Sequence, residues 1–111
     1  MKFMMFVAND SAPDTDQAPL PDIEAWVGDN DAAGRRITGD MLAAAEVATT
    51  VRVRDGKLLI TDGPFAETTE AIVGFDLLEC ENLDEAIEVA RAHPMARMGR
   101  LELRPFAFQD E

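Results

Sequence analysis

Few side chains in this sequence can move a proton, hold a charge or attack a substrate, and their positions narrow the chemistry. Asp62 ends a β-type run and stands before Gly63 and Pro64, where its carboxylate would accept a proton at the mouth of a cleft. The same place suits an aspartate that bonds backbone N–H groups in a turn. His93, the single histidine, precedes Pro94. It suits either an acid/base partner titrating near neutrality or a cation capping the negative end of a helix. Arg104 offers a planar fork for a carboxylate ligand, or an ion pair with neighbouring acids such as Glu67. Glu67 and Glu70 follow Asp62 closely; clustered carboxylates raise one another's pKa or hold a divalent cation, unless they simply form a solvated acidic loop. Trp26 sits on an apolar helical stripe and would line either a cleft or the core.

Other chemistries are excluded by inventory. The only serine, Ser11, lies in an acidic stretch, and there is no tyrosine, which leaves no serine nucleophile with a base at hand. Cys80 with His93 is too small a set for a structural zinc site, and a lone cysteine makes no internal disulfide. On a strand it reads as a small buried apolar residue. Neither a metal nor a cofactor is expected.

Ten Lys and Arg against 22 Asp and Glu give a formal charge of -12, which repels nucleic acid and anionic membrane surfaces at long range. The apolar opening ends at Asn9 and Asp10, too short for a signal-peptide core or a spanning helix, so a soluble, cytoplasmic protein is expected. A chain of 111 residues, 47% hydrophobic, has the size and composition of one globular domain over residues 1–111.

The elements that must position these side chains follow from periodicity. Residues 2 to 8 are apolar on both alternating faces, as in a central strand covered on both sides. Residues 9 to 19 are rich in Asp and Pro and read as a surface loop. Apolar residues at Ile23, Trp26, Val27, Ala33 and Ile37 predict a helix that starts at Pro21 and ends near Gly39, with Gly28 and Gly34 as weak points. Thr49, Val51 and Val53 alternate with polar residues up to Asp55-Gly56, then Lys57 to Thr61 follow: a hairpin, since a type I′ turn needs positive φ at both central positions. Val73 to Cys80 alternate as another strand. Asn82 with Glu85 opens a second helix carrying Leu83, Ala86, Ile87 and Ala90, stopped by Pro94. Leu101 and Leu103 mark a last strand before Pro105.

The order strand, helix, hairpin, strand, helix, strand predicts an α+β ferredoxin-like plait, an antiparallel sheet with two helices on one face. The other face, apolar on several strands, then lacks a cover, and a second copy in a two-fold dimer supplies one.

The run from Thr61 to Glu70, with Asp62-Gly63-Pro64-Phe65 at its heart and Gly74-Phe75 after it, resembles the DGPF branch of the YCII-related family. Leu83-Asp84-Glu85-Ala86, Pro94, Gly99, Glu102 to Pro105 and Thr50-Val51-Arg52 extend the resemblance over about residues 34 to 106. It implies a ferredoxin-like domain that dimerises through its sheets into an α+β barrel. It also implies a wider kinship that includes small oxygenases and isomerases, and relatives that accompany sigma factors. Thr69 stands where the DGPF branch usually carries lysine, and the first helix lacks the histidine of the other YCII branch.

Two functions are compatible with these residues. One is a small-molecule enzyme working by acid/base chemistry in a sheet–helix cleft, with Asp62 and His93 catalytic and Arg104, Glu67, Glu70 and Trp26 contacting substrate. The alternative is a noncatalytic homodimeric binding or regulatory module, linked through its family resemblance to sigma-factor-dependent transcription.

Overall fold

A computed structural model describes residues 1–63 and 71–109. The chain runs β1 (Lys2–Asn9), α1 (Ile23–Ala32), β2 (Arg36–Met41), β3 (Thr49–Arg54), β4 (Lys57–Asp62), β5 (Ile72–Glu79), α2 (Leu83–Arg91), α3 (Met95–Met98) and β6 (Gly99–Pro105), with one 3-10 turn at Ala45–Val47. Four strands form an antiparallel sheet in the order β2-β5-β1-β6, while among the described residues β3 and β4 pair only with each other. The fold is therefore α+β with antiparallel sheets and three helices.

The central strands are apolar on both faces, and burial divides the faces sharply. Phe3, Met5 and Val7 of β1 and Leu78 of β5 are buried with Trp26 of α1 and Ala86, Val89 and Ala90 of α2. Met95, Leu101 and Leu103 close the edge of this core. Met4, Phe6, Phe75 and Leu77 alternate with the buried set and are only half-buried on the opposite face.

The helices start as their sequence dictates. Asp22 accepts a hydrogen bond from the Ala25 N–H, 3.2 Å, at the head of α1. Asn82 does the same for Glu85 at 2.9 Å, while the Glu85 carboxylate reaches back to the Glu81 N–H at 3.0 Å. Each side chain satisfies a donor that the first helical turn leaves unpaired.

The first helix is shorter than its periodicity predicts, and this is the main correction to the sequence reading. Gly34 adopts φ +73°, and its N–H bonds the Asp31 carbonyl at 3.1 Å, a left-handed stop that glycine accepts without steric cost. The chain then turns back as β2 along β5, so residues expected at the helix end form an edge strand. The hairpin turn is as expected: Asp55 and Gly56 have φ of +52° and +73°. The hairpin itself does not join the main sheet, contrary to the expected continuous plait.

The acidic loop at residues 9 to 19 is tied down by one arginine. Arg97 of α3 bonds the Asp14 carboxylate at 2.8 Å and the carbonyls of Asp16, Ala18 and Pro19 at 2.9, 2.9 and 3.1 Å. The planar guanidinium can meet four oxygens at once because its donors diverge in a fixed fork.

Candidate functional site

Glu67, Glu70 and Thr69 lie outside the described residues, as does most of the motif that follows Gly63. The remaining sequence-predicted site residues fall into three surroundings. The structure does not gather them into one constellation.

Asp62 is exposed at the end of β4, opposite Thr49. Its neighbour Gly63 takes φ +98°, donates its N–H to the Ala48 carbonyl at 2.7 Å and accepts the Thr50 hydroxyl at 2.7 Å. The turn is thus closed by backbone and Thr50, and among the described residues the Asp62 carboxylate accepts no hydrogen bond.

His93 is in the core, 5% exposed, edge-on to Trp26 with ring centroids 4.6 Å apart. Its Nδ1 accepts the Met95 N–H at 2.9 Å, so it caps the start of α3 as a neutral acceptor. Burial lowers its pKa to about 4, because the low-dielectric surroundings disfavour the imidazolium. Neither titration near neutrality nor a cation at the end of α2 fits this placement.

Trp26 is buried, and its indole N–H bonds the Val89 carbonyl at 2.8 Å, locking α1 to α2. One edge of the ring also borders a cleft of about 310 Å³ between these helices, whose polar lining includes Asn30, Arg35, Glu85 and Glu88. Asn30, on α1, donates to the Trp26 carbonyl one turn earlier at 2.8 Å and accepts from Arg35, just past the helix end, at 3.0 Å.

Arg104 lies across the sheet from His93, on the face that no helix covers among the described residues. It pairs with Glu102 and stacks over Phe6, 5.4 Å from the ring centroid. Register puts Met4 beside Arg104 and Phe6 beside Glu102 and Phe75. Asp40 of β2 lies opposite Phe75 at the far margin. The result is an apolar floor of Met4, Phe6, Phe75 and Leu77 with charged side chains at both edges.

Two charged residues that sequence reasoning did not single out hold the covered face. Arg36 of β2 bonds Asp76 at 2.7 Å, Asp31 at 3.0 Å and the Gly39 carbonyl at 3.1 Å. Asp76 is 6% exposed. Desolvation raises its pKa despite the opposing pull of Arg36. Arg36 is held more firmly protonated, its two carboxylate bonds outweighing its own burial. Gly39 is required here, since a Cβ would fall 2.2 Å from Asp76 Oδ1 and 2.6 Å from the Phe75 carbonyl. The alternation of β5 carried the signal: Asp76 shares a face with Gly74 and Leu78, so it must be buried and must have a cation.

Cys80 is buried 3% exposed, and its thiol pKa is raised, first by burial and then by Glu85. It is an inert core side chain. Among the described residues no group of three or more His, Cys, Asp or Glu is arranged to hold a metal ion, and no helix is long and apolar enough to cross a membrane.

These features define a mixed α+β domain with one helix-covered sheet face and one that nothing covers among the described residues. The chain belongs to the YCII-related domain family, which it matches over residues 1–107. It is 43% identical over 70 residues to an uncharacterized protein of Rhizobium meliloti, a stretch that covers 60% of this chain and 55% of that relative.

Proposed function

We propose that this YCII-related domain is a homodimeric α+β barrel of the DGPF branch that binds a small acidic, partly apolar molecule on its uncovered sheet face. The observation that carries this reading is the floor of Met4, Phe6, Phe75 and Leu77 left half-buried beside Arg104. Half-buried aliphatic and aromatic side chains on a central strand pair gain from a second cover. A strand order of β2-β5-β1-β6 with two longer helices on one side also supports a ferredoxin-like plait, the form that pairs sheet to sheet.

A second reading, acid/base catalysis, is favoured by one feature: Asp62 is exposed and is not consumed by its turn. In that reading Asp62 is the base and Arg104 orients the substrate. His93 supplies structure, being packed in the core on the other side of the sheet.

A thermal-shift screen against small aromatic and aliphatic acids tests both, since a ligand that binds only the folded state raises its melting temperature. Binding is expected to survive Asp62→Asn and to fail in Arg104→Gln. A ligand that stabilises wild type and both variants equally would refute the sheet-face site. Turnover of that ligand, lost in Asp62→Asn, would establish the enzyme reading.

A further inference from the structure

We propose that the β3–β4 hairpin is an arm that lies against a second copy of this chain; the inference deepens the dimer reading above and rests on it. Cross-strand register places Val51 opposite Ile60 and Val53 opposite Leu58, so alternation puts all four aliphatic side chains on one hairpin face. They are 61%, 61%, 58% and 62% exposed in that order. A two-stranded hairpin is marginal in water unless such a face is covered. No residue of this hairpin belongs to the core.

The exposed apolar surface is concentrated here. Of 16 large hydrophobic residues exposed among the described residues, eight lie between Met41 and Ile72, on the hairpin or at its root. The root adjoins the main sheet, where the Leu42 N–H bonds the Val73 carbonyl at 2.8 Å. The hairpin face alone presents on the order of 400 Å² of apolar surface. That is about half of the ~800 Å² each partner contributes to a standard interface, and the sheet face can supply the rest.

Residues 49 to 62 carry Arg52, Arg54 and Lys57 against Asp55 and Asp62, a net +1, leaving seven cations and 20 acids, a net −13, on the rest of the chain. These three cations can pair with carboxylates on the body of another copy. The radius of gyration, 16.2 Å, exceeds the roughly 13 Å of a compact domain of this length, as a projecting arm requires.

Sedimentation equilibrium of the full chain tests the arm with two double variants. Val53→Thr with Ile60→Thr keeps β-branched side chains and strand propensity, and Arg52→Glu with Arg54→Glu reverses the charge. Each is expected to raise the dimer Kd at least tenfold. A wild-type dimer whose Kd is unchanged in both variants would overturn the arm and leave sheet-to-sheet pairing standing. A wild type that is monomeric throughout would overturn the dimer reading and the arm with it.

Discussion

Because His93 is neutral in the folded protein, acidification should unfold it by a calculable amount. The unfolded chain binds a proton at His93 with pKa 6.5, the folded one only at about 4. The stability linked to this group is therefore fully present above the unfolded value and is lost as pH falls through 6.5 toward 4. Relative to pH 7, the loss is under about 1 kcal/mol at pH 6 and roughly 2 kcal/mol at pH 5, from the difference in proton binding by the two states. His93→Asn keeps an acceptor for the Met95 N–H and removes the titration. Urea unfolding followed by Trp26 fluorescence, at fixed protein concentration and at pH 7, 6 and 5, gives the stability of each protein. The carboxylates contribute equally to both, so the difference between wild type and variant isolates His93. It should change by about 2 kcal/mol over this range. A difference that stays flat, or a His93 NMR titration centred near 6.5 in the folded protein, would refute the reasoning.

Replacing Arg36 by Met should cost about 3–5 kcal/mol at pH 7, because Asp76 is left charged and buried without its partner. The cost should shrink toward pH 4, since an unpaired Asp76 can then take up a proton; denaturant unfolding at both pH values checks the sign. Arg97→Ala should free residues 10 to 19, seen as faster amide exchange and protease cleavage confined to that loop, with global stability changed by less than about 1 kcal/mol because the contacts are largely exposed.

Much of the fold is legible in the sequence where local rules and tertiary packing agree. The alternation of β1 and β5, the Asp55-Gly56 turn and the Asn82 cap each have a local cause that the structure keeps. The edge strand β2 was not legible because Arg36, Thr38 and Asp40 break its apolar pattern, and Ile37 falls in phase with the helical stripe before it. Gly34, read as a weak point, is the stop, and only its positive φ distinguishes the two. The Arg36–Asp76 pair joins residues 40 positions apart, a separation that no local pattern encodes. His93 shows the same limit in the site: residue type suggested a neutral-pH acid or base, whereas burial against Trp26 decides its charge. Arg104 was visible as a cation among acids, but its place over the ring of Phe6 follows only from strand register.

The account depends most on what covers the uncovered sheet face, and light scattering at micromolar concentration on wild type and Phe6→Glu tests it directly. Wild type should scatter as twice its 12.2 kDa chain mass. Phe6→Glu, which puts a carboxylate at the centre of that face, should scatter as a single chain with an unchanged circular dichroism spectrum. A wild type that is monomeric at every concentration, or a Phe6→Glu variant that remains a dimer, would contradict it.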